Sequence, residues 1–248
     1  MYSTNFTRLR DQELAKSTKP FHAKGKSVIR CADCQMAEYA CICQWRPTVE
    51  SQIDFALLVH RKELFKPTNT GRLITDVFPQ TPIFLWNRLE APAGLEVLLN
   101  DPARECYIVF PASEDEGKAR IIVQALPAPG ASSKKITLLV LDGSWKQCSR
   151  MIALSRWLDR VPCLKLPDAF VKSYLVRDSG RDDRFSTAEA AISCLLLAGE
   201  NHPAQILQHY FSLFNQHYVA TRGCYLPERG ESHEVLEQHL LSCTANDN

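Results

Sequence analysis

The sequence predicts an α/β protein: a mainly parallel sheet with helices on both faces. Three observations carry this reading. Residues 136–141 (ITLLVL) are continuously apolar, with β-branched Ile136, Thr137 and Val140, as a strand buried on both faces requires. Residues 53–60 (IDFALLVH) repeat that pattern. Between and after them, short apolar runs alternate with segments of helical period, which argues for strand–helix–strand units.

Taken in order, residues 1–30 carry seven Lys or Arg (Arg8, Arg10, Lys16, Lys19, Lys24, Lys26, Arg30) against Asp11 and Glu13 and read as a basic, flexible head. Residues 31–47 hold four cysteines and read as a small knuckle. After Pro47 come a strand at 53–60, a helix at 70–78 opened by Thr70-Gly71, a strand at 82–86 and a short helix at 93–100. A strand at 106–110 is stopped by Pro111, and a mixed segment with Ile121, Ile122 and Val123 precedes the Pro-Ala-Pro-Gly loop at 127–130. The strand at 136–141 ends at Asp142-Gly143-Ser144, after which Trp145, Cys148, Ile152 and Leu154 fall near helical spacing. A short strand at 162–166 and a polar loop at 177–185 follow. Ser186-Thr187-Ala188-Glu189 is a capping box opening a helix with Ile192, Leu195 and Leu196 on one face. Pro203 opens a last helix with Ile206, Tyr210, Leu213 and Phe214 as its apolar stripe. Residues 48–220 form the predicted catalytic domain and 221–248 an acidic tail.

Composition narrows the class. With 248 residues, 45% of them hydrophobic, the chain can bury a large core. A net charge of +1 favours no partner by itself. The basic head, however, suits phosphate contact. There is neither an apolar leader nor a run approaching the ~18 apolar residues of a membrane span, so a cytoplasmic protein without membrane contact is expected. Ten cysteines there should be thiols or metal ligands. Cys31, Cys34, Cys41 and Cys43 form a C-x2-C-x6-C-x-C array, two chelating pairs that complete a closed tetrahedral site of the structural zinc type. An iron–sulfur cluster or free thiols are the alternatives.

Motifs of the commonest enzymes are missing: no dinucleotide fingerprint, phosphate loop, Gly-x-Ser-x-Gly elbow or His-Glu-x-x-His helix. What stands out is an acid at a strand end (Asp142) before a helix N-terminus, an Asn69-Thr70-Gly71-Arg72-Leu73 turn, and Ser186-Thr187, with Tyr174 and Arg177 upstream. In open α/β sheets ligands bind at such junctions, where helix amides face the crevice. Each feature also has a structural explanation, since Asp142, Ser144 and Ser186 can cap helices and Trp145 can pack.

The ordered set C-x2-C…C-x-C, His60…Asn69-Thr70-Gly71-Arg72-Leu73, Asp142-Gly143-Ser144-Trp145, Tyr174…Arg177…Ser186-Thr187-Ala188-Glu189-Ala190 resembles the DTW-domain family over residues 31 to about 215. Ser144 stands where the family has Thr, which keeps the hydroxyl. The resemblance implies a SPOUT-like sheet with a C-terminal trefoil knot. It also implies a tRNA-uridine aminocarboxypropyltransferase of bacterial type, moving the 3-amino-3-carboxypropyl group of S-adenosylmethionine to uridine N3, at position 47 of the variable loop, and leaving methylthioadenosine. On that reading Asp142 is base or orienter of N3–H, Ser144 and the amides after Asp142 hold it or the substrate, and Trp145 stacks on a ring or packs under the loop. Asn69, Thr70, Gly71, Arg72, Tyr174, Arg177, Ser186 and Thr187 bind the cofactor, Arg72 or Arg177 through its carboxylate. Knuckle and head then clamp tRNA, and no protein partner is expected. A methyltransferase using the same cofactor, or a non-catalytic zinc-knuckle RNA-binding protein, are the competing readings.

Overall fold

A computed structural model describes residues 4–18, 28–110, 121–127, 133–166 and 186–246. Tyr174, Arg177, the 177–185 loop, Lys24, Lys26 and most of the Pro-Ala-Pro-Gly loop lie outside the described residues.

Six strands form one sheet: β1 (Asp54–Val59), β2 (Ile83–Leu85), β3 (Arg104–Val109), β4 (Ile122–Val123), β5 (Lys135–Asp142) and β6 (Cys163–Leu164). Their order is β2-β1-β5-β3-β6-β4, and every pair is parallel. All carboxyl ends therefore lie on one edge, and β5 ends at its centre, with Asp142 opposite Val59 of β1.

Alternation along the strands explains the three layers. Phe55, Leu57, Val59, Leu138 and Val140 face one core. It is covered by α2 (Gly71–Val77), α5 (Thr187–Leu197) and α6 (Asn201–Gly223). Ala56, Leu58, Ile108, Leu139 and Leu141 face the other, under α3 (Ala93–Asn100) and α4 (Trp145–Leu154). With period two, Asp142 shares the α2/α5 side with Leu138 and Val140. Each large side chain buried this way contributes about 1.5–3 kcal/mol, so a strand apolar on both faces needs both layers.

Both termini depart from the expected head and tail. Asn5–Ala15 is a helix, α1, capped by Thr4 Oγ1, which accepts from the Thr7 amide at 3.2 Å. Phe6 is buried in the main core, and Asn5 Nδ2 donates to Thr81 O at 2.7 Å. Glu231–Asn246 is likewise a helix, α7, seated on α6 with Leu236 fully buried. Charge counting missed both, because α1 and α7 are held by tertiary contacts that net charge does not report. No helix among the described residues is long and apolar enough to cross a membrane.

Candidate functional site

Asp142 is the centre of the site. Its side chain is 2% exposed, and each carboxylate oxygen has one donor: Asn69 Nδ2 reaches Oδ2 at 2.5 Å and the Thr187 hydroxyl reaches Oδ1 at 2.7 Å. Asn69 precedes α2 and Thr187 opens α5, so this one acid joins three elements. Asn69 also accepts from the Arg72 amide at 3.0 Å through Oδ1, which fixes its amide orientation. Thr70 Oγ1 accepts from the Ala188 amide at 3.4 Å, and Ser186 caps α5 in the expected box with Glu189. Burial pushes the Asp142 carboxyl up to about 6, against the pull of its two hydrogen bonds.

Gly71 is there for space rather than for backbone freedom. A Cβ on it would lie 2.7 Å from Asp142 Cγ and under 3.0 Å from both oxygens. Gly71→Ala should therefore push α2 off the carboxylate, at about 1–3 kcal/mol by overpacking. The melting temperature should fall accordingly; a variant with the wild-type value would show that Gly71 is incidental.

Other expected site residues fall elsewhere. Ser144 is the N-cap of α4; its amide donates to Gln147 Oε1 at 2.6 Å, which accounts for its position. Trp145 is 43% exposed and stacks on Phe110 at 5.2 Å. The Arg72 side chain turns away from Asp142 into the α6 layer. It is 5% exposed, 5.1 Å over the Phe214 ring, and among the described residues no guanidinium nitrogen has a hydrogen-bond partner. That placement points the guanidinium away from the crevice at the sheet's carboxyl edge. Cys148, next to the site, is buried; its thiol is pushed up to about 12 by desolvation and donates to Gly143 O at 3.4 Å, so it packs rather than reacts.

Gln147 was missed, and His60 stood in the ordered motif set without a role. The His60 amide donates to Asp142 O at 2.9 Å, and its ring Nδ1 lies 3.2 Å from Gln147 Nε2. The signal was present as Ser144-x-x-Gln147, a capping box that sequence reading passed over.

The sulfurs of Cys31, Cys34, Cys41 and Cys43 all lie within 4.8 Å of one another, a donor set that could hold a metal ion and fits the closed tetrahedral type. An open cavity of about 1310 Å³ opens at the opposite, amino edge of the sheet, beside Asp54, Arg104 and Lys135. Asp54 already pairs with Arg104 at 2.6 Å and Lys135 at 3.5 Å, so little unpaired charge faces it.

With this geometry in hand, comparison with known proteins is decisive: a family model described as "DTW domain" matches residues 28–219, well over half of the chain. The chain belongs to the DTW-domain family. No solved structure matches it. The DTW match runs from the knuckle through most of α6 and includes the four cysteines, the Asn69–Leu73 turn, the Asp142–Trp145 motif and the α5 start. This family is consistent with tRNA modification.

Proposed function

We propose that the chain transfers the 3-amino-3-carboxypropyl group of S-adenosylmethionine to N3 of a uridine in tRNA, at position 47, releasing methylthioadenosine. The observation that carries this is the buried Asp142 at the centre of the sheet's carboxyl edge, clamped between the Asn69 turn and the α5 start, in a DTW-domain chain. In the reaction, N3 attacks the Cγ carbon of the sulfonium substrate, the C–S bond breaks, and its electron pair leaves on methylthioadenosine. The N3 proton passes to Asp142 and then to solvent. A carboxylate has about four lone-pair sites, and Asn69 and Thr187 use two, so a third partner can be accepted. A pKa near 6 leaves Asp142 ionised at neutral pH yet more basic than an ordinary aspartate, which suits a general base.

Asn69, Thr70 and the first turn of α5 are the groups placed to meet the cofactor's ribose and amino acid. Tyr174 and Arg177 belong to the same role, and with Arg72 turned inward Arg177 is the assigned carboxylate partner. The metal is zinc, and when bound it ties the knuckle's two cysteine pairs together as a structural ion. The SPOUT-like relationship with its C-terminal knot, residues 48–220 as the catalytic domain, and a cytoplasmic setting with reduced thiols belong to the same reading.

The test is incubation of tRNA with cofactor labelled in the carboxyl carbon and, in parallel, in the methyl group. Carboxyl label should enter RNA and methyl label should leave as methylthioadenosine. Methyl label retained in RNA would make the chain a methyltransferase instead.

A further inference from the structure

A second set of side chains lines the same carboxyl edge on the α4 side, away from the Asp142 carboxylate. His60 stacks on Trp86 at 5.7 Å and 22°. Trp86 is itself anchored, its Nε1 donating to Ser155 Oγ at 2.8 Å. Two N–H groups, the Lys62 amide and Gln147 Nε2, both lie 3.2 Å from His60 Nδ1. Nδ1 therefore accepts, and the ring proton sits on Nε2. Burial, with the cations of Lys62, Arg150 and Lys66 and against the opposing pull of Glu63, keeps the ring below its usual pKa and favours the neutral form at pH 7. The rim thus presents an N–H donor whose Nε2 has no hydrogen-bond partner among the described residues.

Trp145 lies along the same rim at the start of α4. One of its faces rests on Phe110, the planes only 28° apart, while 43% of the residue stays exposed. Lys62, Lys146 and Arg150 are exposed; Lys62 and Arg150 act electrostatically on His60, and Lys146 follows Trp145 in the first turn of α4. A flat aromatic held on the surface by a second ring, on a rim that also carries exposed cations, has no further ring partner among the described residues. Its chemical complement is a polyanion carrying unstacked π-faces. An acidic polypeptide would answer the cations but not the platform.

We infer that the α4-side rim is an RNA-contact surface, with an unpaired base stacked on Trp145 and flanking phosphates taken by Lys62, Lys146 and Arg150, His60 Nε2–H donating to a phosphate or base oxygen. This rests on the tRNA reading of the substrate and places its binding on the sheet's own edge, where the sequence had suggested only knuckle and head.

The test is binding of a labelled, unmodified tRNA transcript to the full chain across a range of salt. Trp145→Ala should weaken binding on the order of 10-fold without altering the salt slope, since stacking is not a charge contact. Lys146→Glu with Arg150→Glu should reduce the slope by about 1.5, at roughly 0.7–0.9 per lost phosphate contact. The two charge reversals, at exposed positions, should leave the melting temperature nearly unchanged. Wild-type affinity and slope in both variants would overturn the proposal, as would no tRNA binding by the wild type, or polyglutamate competing as well as tRNA. If the variants lose tRNA as expected while the wild type transfers no aminocarboxypropyl group, the surface stands and the transferase reading falls.

Discussion

Stripping the proposed zinc with a chelator, or replacing Cys34 by Ser, is expected to lower the melting temperature of the whole protein by 10 °C or more, in one cooperative transition. The knuckle is no detachable module. Cys34, Met36, Ile42 and Trp45 belong to the same core as Phe55, Leu73 and Leu207. Its backbone is tied to α6, the Ala37 amide donating to Thr221 Oγ1 at 3.2 Å and His217 Nδ1 to Ala40 O at 2.9 Å. Trp45 donates to Glu237 of α7 at 2.9 Å and packs edge-on against His217 and His233. The chain segment that the cysteines organise is thus what α6 and α7 rest on.

Electrostatics point the same way. Without a cation, four sulfurs this close cannot all ionise: the Cys34 thiol is held down near 4 by its neighbours, while Cys41 is pushed up to about 11 and Cys43 further. A divalent ion with four thiolates carries a net charge of about −2, and burying that demands nearby cations. Arg46 is in place, its Nη2 3.7 Å from Cys43 Sγ and its Nε 3.3 Å from Asp76. Arg72, buried without a hydrogen-bond partner among the described residues, is a further positive charge that acts on Cys34. Structural zinc supplies about 10–16 kcal/mol of apparent binding energy in small peptides, against a total stability of about 5–15 kcal/mol for a domain. Even a fraction of that is a large share. Circular dichroism and tryptophan fluorescence followed on heating provide the measurement. A shift under about 2 °C, or a separate early transition confined to Trp45, would contradict the integrated core.

Much of the sheet was legible because its strands are buried on both faces, which writes them as continuous apolar runs; β1, β5 and α3 fall within a residue or so of where periodicity puts them. The order of the strands was not legible. Nothing local tells β5 to insert between β1 and β3, yet that insertion brings Asp142 beside His60 and within reach of α2 and α5. The site was legible as a set of residues and not as a set of roles. Asn-Thr-Gly-Arg reads as a ligand-cradling turn; the structure adds that Asn69 and Gly71 also hold the Asp142 carboxylate and that the Arg72 side chain points inward. Side-chain direction on a helix buried on every side, as α2 is, depends on neighbours far away in sequence such as Phe214.

Asp142→Asn is expected to give a protein that is slower and more stable at once. The amide can take the place of the carboxylate without disturbing the clamp: its oxygen accepts from Asn69 Nδ2, and its NH2 group donates to Thr187, whose hydroxyl rotates to accept. Asp142→Ala lacks this virtue, because it strands both Asn69 and Thr187. Losing the base should cut the rate about 10²–10⁴-fold, and the rise of kcat/KM through an apparent pKa near 6 should vanish with it. If Asp142 only orients the uracil edge, the Asn variant keeps most of the rate.

The stability change has a definite sign. Folding raises this carboxyl from 3.8 to about 6, so the native state favours the neutral form. Proton binding therefore stabilises the fold fully below about pH 4, and that contribution is lost as pH rises through about 6. At 1.36 kcal/mol per pH unit the loss amounts to about 3 kcal/mol, and the permanently neutral amide escapes it. The variant's advantage over wild type should be near zero at pH 4 and about 2–3 kcal/mol at pH 7, measured by denaturant unfolding at both. A variant less stable than wild type at pH 7 would mean that the charged carboxylate is structural cement, and a variant with full rate would remove Asp142 from the chemistry.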